Sequence, residues 1–245
     1  MSYIQVEQTD KIMTITMSRF QQKNALSLDM YSELVTALTK YEESAELQVC
    51  LILGNEECFC AGNDLKDFLN SGQLNEAHPT VQFINRIATC QKPVVAAVAG
   101  PAVGIGTTML LHFDYVIAAE NAVFQLPFAQ LGLCPEAASS YILPNIVGQR
   151  IAFELLVMGE RFDADRARDF GIVNIVCQPK ELKGIALSKT KEIAKLPHEA
   201  VIKSKRLIRQ NDSETVKAMI ELELTYFQQL LDSEECQTRV GKFFK

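Results

Sequence analysis

The chain is expected to be an α/β protein ending in a helical region, on three observations. Short apolar runs, Val49-Cys50-Leu51-Ile52-Leu53 and Val94-Val95-Ala96-Ala97-Val98, alternate with stretches of helical spacing. Each run enters a glycine-bearing turn, Phe59-Cys60-Ala61-Gly62-Asn63-Asp64-Leu65 and Gly100-Pro101-Ala102-Val103-Gly104-Ile105-Gly106-Thr107-Thr108, and then a helix. From Lys180 onward the pattern is helical throughout. Strands separated by helices imply parallel pairing with βα crossovers, and the helical tail implies a separate packing role.

The elements follow in order. Tyr3 to Gln8 and Ile12 to Ser18 alternate as two strands joined at Thr9-Asp10-Lys11, an opening hairpin. Ser27 can cap a helix whose apolar side is Met30, Leu34, Leu38 and Tyr41. Strand 49–53 and the first glycine turn come next. Residues 70–79 are polar and aperiodic and are expected to form a mobile loop. Val81 to Cys90 regains helical spacing before strand 94–98, and the second glycine turn opens a short helix at 105–112. Tyr115 to Ala118 and Val123 to Leu126 are strands; Ile151 to Met158 and Ala164 to Phe170 are helices, the latter stopped by Gly171. Val173 to Cys177 is a late strand, and Pro197 breaks the tail once. The expected division is a core over 1–196 and a helical oligomerisation region over 197–245.

Composition narrows the function. Apolar residues make up 48% and charged residues 22% of the 245, and the net charge is −6. No Lys/Arg stripe interleaved with aromatics is present, so nucleic acid is not an expected partner. No apolar run approaches the roughly 18 to 20 residues of a membrane span. Seven scattered cysteines, without a signal peptide, suit free thiols in a reducing compartment. The terminal Lys242-Phe243-Phe244-Lys245 is not a standard peroxisomal address. The expected location is cytoplasmic.

The two glycine turns share an apparent purpose. A strand running through a glycine turn into a helix leaves backbone N–H groups unspent at the strand end. Two such donors meeting in space would form an oxyanion hole. A turn built only for chain reversal is the plainer reading of either stretch alone. A dinucleotide site is poorly matched, because the third glycine is missing after Gly106.

These stretches resemble the crotonase, or enoyl-CoA hydratase/isomerase, superfamily. The resemblance is carried by Lys23-Asn24-Ala25-Leu26, Cys60-Ala61-Gly62-Asn63-Asp64-Leu65, Gly100 to Gly106, Asp114, Phe124 to Phe128 and Leu133-Cys134-Pro135-Glu136-Ala137. Leu133 to Pro144 is most similar to the peroxisomal-type Δ3,Δ2-enoyl-CoA isomerases. The resemblance implies a spiral of ββα units, assembly as a homotrimer or dimer of trimers, and an acyl-CoA thioester substrate. It implies no cofactor and no metal, CoA being carried by the substrate. It further implies that the N–H groups of Ala61 and Ile105 hold the thioester oxygen. Asn24, Ala25, Ala61, Gly62, Asn63, Asp64, Leu65 and Gly104 would line the CoA path.

Hydratases of this family carry glutamates at the positions of Thr108 and Phe128, and neither is a carboxylate here. Glu136 lies where the isomerases have their catalytic glutamate. Its neighbours Leu133, Cys134, Ala137 and Phe128 are apolar, so desolvation should raise its pKa. On local sequence alone, a solvated glutamate after Pro135 at a helix start is the plainer reading. The expected activity is Δ3,Δ2-enoyl-CoA isomerisation in fatty-acid β-oxidation. The alternatives are a 2-enoyl-CoA hydratase or other crotonase-type enzyme, and a non-catalytic acyl-CoA-binding or assembly protein.

Other residues have quieter readings. His112 among Leu110, Leu111 and Phe113 fits a buried structural histidine. Cys58-x-Cys60 lacks a partner pair for a metal. Asp64 either holds its turn or meets the ligand. Asp163 starts a helix. Lys23, Lys242 and Lys245 are solvated or meet CoA phosphates, and Phe243 and Phe244 cover the cleft or a neighbouring subunit.

Overall fold

The computed structural model describes residues 2–69 and 72–242. The opening hairpin pairs β1 (Ile4–Thr9) with β2 (Ile12–Met17) and turns at Asp10, whose φ is +54°. Ser27 caps α1 (Leu28–Glu43) by accepting the Met30 N–H at 3.3 Å, and the expected stripe of Met30, Leu34, Leu38 and Tyr41 is buried. β3 (Val49–Leu53) leads to α2 (Leu65–Leu69) and α3 (Pro79–Thr89); β4 (Val94–Val98) leads to β5 (Pro101–Val103) and α4 (Ile105–Thr108). β6 (Tyr115–Ala119) and β7 (Val123–Gln125) precede α5 (Ser139–Val147) and α6 (Gln149–Phe153). Then come β8 (Phe162–Asp163), α7 (Ala164–Asp169), β9 (Ile175–Cys177), α8 (Pro179–Ala194), α9 (His198–Arg209), α10 (Ser213–Leu231) and α11 (Glu234–Gly241).

Two sheets share these strands. The large one runs β1-β2-β3-β4-β6-β9 and is parallel from β2 onward; the small one runs β5-β7-β8. Cys60 bridges Ala102 in parallel and so extends the small sheet by one position beyond β5. Each turn of the chain therefore sends one strand to the large sheet (β3, β4, β6) and the next extended stretch to the small one (Cys60, β5, β7). That repeated advance is the expected spiral of ββα units.

The large sheet is covered on both faces, which suits apolar parallel strands. Val49 and Leu51 pack with Leu182 and Ala186 of α8, while Cys50 and Ile52 face the main core. Among the later helices, α10 packs on α3 and α5. Asp114 ties α9 to the sheet: its carboxylate takes the Lys205 ammonium at 2.6 Å and the Val94 N–H at 2.8 Å.

Several elements differ from the sequence reading. Pro101–Val103 is a strand; its backbone pairs with Val123–Gln125, although proline and a three-residue length hide it. The helix at 105–112 is one α-turn followed by a 3-10 turn, Met109–His112. Residues 149–158 end in a π-helical turn, Glu154–Met158. Helix α5 carries Pro144 inside, which masked it. The tail breaks not once but also at 210–212 and 232–233. The segment expected to be mobile is tethered within its described part, where Leu74 N–H reaches Gln228 Oε1 at 2.8 Å. The expectations for Phe243, Phe244 and Lys245 fall outside the described residues. Among those residues, no helix is long and apolar enough to cross a membrane.

Glycine matters most at position 106. A Cβ there would stand 2.5 Å from the Cys60 carbonyl oxygen, whereas a Cβ on exposed Gly184 in α8 would meet nothing within 4 Å. Gly106→Ala should therefore cost about 1–3 kcal/mol, and Gly184→Ala should add roughly 0.5–1 kcal/mol. Urea midpoints of the two variants against wild type check this, and equal effects would contradict the contact.

Candidate active site

Backbone pairing brings three sequence motifs side by side. Leu26 bridges Asn63 in parallel, with Leu26 N–H donating to Gly62 O at 2.8 Å and Asp64 N–H to Leu26 O at 2.9 Å. On the other side, Cys60 N–H donates to Pro101 O at 3.0 Å and Val103 N–H to Cys60 O at 2.9 Å. The 23–26 stretch, the first glycine turn and the second glycine turn are thus adjacent layers. Gly62 (φ +98°) and Gly106 let them touch: a Cβ on Gly62 would stand 3.0 Å from Val103 O.

The unspent donors are not quite those expected. Ala61 N–H donates to Lys23 O at 3.0 Å, so it is occupied by the layer contact itself. That corrects the assignment of Ala61. Two residues on, in the same turn, Asn63 N–H has no acceptor among the described residues, and neither has Ile105 N–H at the second turn. Gly104 supports the Ile105 position: its φ of +54° with ψ of −121° suits only glycine, and the space beside it is open. Because α4 is a single turn, helix-dipole assistance at Ile105 is small.

Glu136 is buried, 5% exposed, which removes the reading as a solvated cap. Its Oε1 accepts the Thr108 hydroxyl at 2.5 Å. Burial pushes its carboxyl up to about 8, the negative charge of Glu223 adds to this, and the Thr108 hydrogen bond opposes it. Thr108, one of the positions where a hydratase glutamate was expected to be missing, is thus a hydrogen-bond donor to the remaining acid. Phe128 is buried. Tyr31 stands nearby, its hydroxyl donating to Asn63 Oδ1 at 2.5 Å; burial and then the Glu136 charge raise its pKa.

The backbone after Glu136 is unusual. Ala137 and Ala138 both have positive φ, +57° and +54°. Each costs about 1–2 kcal/mol for a residue with a Cβ, so the surroundings must hold them. His112 Nε2 lies 2.7 Å from the Ala137 carbonyl. A carbonyl only accepts, so Nε2 carries the hydrogen, and burial holds the ring neutral with a pKa near 4. Its structural reading stands. Glu223 of α10 accepts the Ala138 N–H at 2.6 Å and the Ser140 N–H at 2.9 Å.

Other expected site residues take structural positions. Asn24 is fully buried, φ +54°, and its amide donates to the Cys58 and Phe59 carbonyls at 3.1 Å each; its side chain is not presented to a ligand. Asp64 pairs with Arg19 at 2.7 Å and accepts the Lys66 N–H at 3.0 Å. Burial raises its carboxyl, but these bonds outweigh it and the pKa is lowered. Ala25 and Leu65 are half-buried beside this pair. Asp163 caps α7 through the Arg166 N–H, as expected. Glu223 escaped the sequence reading, although an acid in helical register with Ile220 and Phe227 was its signal.

The profile of the enoyl-CoA hydratase/isomerase family matches residues 7–244. The chain belongs to that family. It is similar to enoyl-CoA delta isomerase 2 of Rattus norvegicus, 36% identical over 95% of this chain and 61% of the rat protein. The peroxisomal enoyl-CoA delta isomerase 3 of Mus musculus is 35% identical over 86% of this chain and 68% of its own. A solved enoyl-CoA hydratase/isomerase structure from Pseudoalteromonas atlantica superposes with a TM-score of 0.95 at 37% identity, covering 99% of this chain and 97% of that one. The chain thus spans about three fifths of the rat relative, and the fold is the crotonase fold.

Because the Glu136 pKa rises from 4.5 to about 8 on folding, the folded state keeps a proton that the unfolded chain releases. That contribution to stability is complete below about pH 4.5 and is lost as pH rises through about 8. Glu136→Gln, neutral throughout, should therefore gain on wild type between about pH 5 and 9 by on the order of 1 kcal/mol or more. Urea midpoints at both pH values measure it; a constant gap would contradict the buried neutral acid.

Proposed function

We propose that this protein is a Δ3,Δ2-enoyl-CoA isomerase with Glu136 as its only proton-transferring group. The observation that carries the reading is the pair of buried carboxyls. Glu136 is buried, and among the described residues Thr108 is its carboxyl's one hydrogen-bond partner, while Glu223 has both oxygens engaged by backbone amides. Hydration by the two-glutamate route needs two available carboxyls to orient and split a water, and here Thr108 and Phe128 occupy the other positions. An isomerisation needs one.

In the proposed step the Glu136 carboxylate removes a proton from C2 of a 3-enoyl thioester. The C–H electron pair moves into the carbonyl, leaving a dienolate with its charge mainly on oxygen. The Asn63 and Ile105 N–H groups are the donors proposed for that oxygen, where they would stabilise the dienolate more than the substrate. Glu136 then returns the proton to C4, and the double bond moves from C3–C4 to C2–C3. Substrate and product are isomers, so no oxidant, reductant or metal is called for. A carboxyl with a pKa near 8 is better matched to a weak carbon acid than an ordinary one. The enoyl-CoA delta isomerase relatives support the same reading. It extends to a role in fatty-acid β-oxidation, a cytoplasmic location and a homotrimer or dimer of trimers.

A 3-enoyl-CoA should gain ultraviolet absorption on incubation, as the double bond conjugates with the thioester, while a 2-enoyl-CoA should keep its absorption. Glu136→Gln should lower turnover by at least about 10³-fold with CoA-ester binding retained. In wild type, kcat/KM should climb with pH and level off above about 8, following the carboxylate. Loss of absorption from the 2-enoyl-CoA, with no gain from the 3-enoyl-CoA, would make the protein a hydratase instead.

A further inference from the structure

Helix α10 buries one face through Ile220, Glu223, Phe227 and Leu231. An acid in that stripe is costly unless its oxygens are satisfied, and among the described residues no cation pairs with these. Their acceptors' roles are filled by main-chain donors: Ala138 N–H at 2.6 Å from Oε2 and Ser140 N–H at 2.9 Å from Oε1. Those amides bracket the end of the left-handed pair Ala137-Ala138, directly after Glu136. His112 pins the Ala137 carbonyl from the other side. We propose that Glu223 is a positioning residue, clamping the Ala138 and Ser140 amides so that the left-handed turn aims the Glu136 carboxyl at Thr108 and the reacting carbons.

The proposal rests on Glu136 as the base but uses a different part of the chain. Two N–H groups converge on one side chain, and only a carboxylate offers an acceptor oxygen to each. Glutamine has one acceptor, and its NH2 would confront the second N–H. Leucine would fill the volume and leave both amides unpaired. The C-terminal helical region thereby acts on the chemistry through the backbone that carries Glu136, whatever else it packs against. A second consequence is electrostatic, since the Glu223 charge is one of the causes raising the Glu136 pKa. The other groups facing this pair are uncharged in the working range: Thr108, the Tyr31 hydroxyl, the Cys134 thiol (about 11) and neutral His112. Lys205 and Arg209 face His112 rather than the acids and are paired with Asp114.

The test compares wild type, Glu223→Gln and the double variant Glu223→Gln/Ala138→Gly, in which glycine accepts positive φ without help and so keeps the fold if the single variant is unstable. Two quantities are read on the folded proteins. The first is 3-enoyl-CoA turnover, where kcat should fall at least about 10-fold while KM stays within about 3-fold. The second is the carboxyl ¹³C resonance of Glu136, identified by its loss in Glu136→Gln, whose titration midpoint should move to lower pH in both Glu223 variants. If wild type does not turn over 3-enoyl-CoA, the isomerase reading fails and the titration alone decides the role of Glu223. A folded variant whose midpoint, or whose kcat where turnover exists, stays at the wild-type value overturns the proposal.

Discussion

The close approach of the two glycine turns is the constraint on which the site depends. Gly106 lies against Cys60, with no room for a side-chain carbon between them. Cys60 in turn exchanges hydrogen bonds with Pro101 and Val103. This contact fixes the first glycine turn beside the second and so sets Asn63 and Ile105 in neighbouring layers with their N–H groups unspent. Pairing of the 23–26 stretch on the outer side consumes the Ala61 N–H and completes the stack. The spiral arrangement of the two sheets exists, in effect, to stack three loops in register at one end of the strands.

Against this rigid backbone stands a side chain of opposite character. Glu136 is an acid kept from water, with its proton affinity raised by burial and by a second acid, and steadied by one hydroxyl. The two residues after it, Ala137 and Ala138, are held in a left-handed conformation that alanines seldom adopt. The strain is resisted by two buried polar residues from distant parts of the chain, His112 and Glu223, each bonded to main-chain atoms of the same short turn. Strain held by such over-determined surroundings is a common feature of sites where a reactive group must be aimed.

Much of this was legible in the sequence, and the reasons differ from residue to residue. The strands at 49–53 and 94–98 were visible because parallel strands buried on both faces have continuous apolar composition. The Ser27 cap and its stripe were visible because helix geometry is local. Glu136 stood out only through the family resemblance, since local chemistry favoured a solvated cap; burial is a property of the assembled fold. Ala61 was misassigned because which amide a turn leaves free depends on its lateral partner, here Lys23 O, 38 positions earlier in the chain. Asn24 stood out through its motif, but the two carbonyls its buried amide binds inside the molecule could not be read from the sequence. Glu223 was missed although an acid inside an apolar stripe was in plain view, because its partners are backbone groups that no pattern of side chains announces.

The central claim is that one carboxyl both removes and returns the proton. It is tested most directly by following the label from a 3-enoyl-CoA dideuterated at C2 into the product by NMR in ordinary water. A single buried acid predicts deuterium at C4 of the 2-enoyl product in excess of any arriving from solvent, since the label has little opportunity to exchange before it is returned. Product formed at full rate with no deuterium at C4 would contradict the account, because the returning proton would then come from a second group or from water.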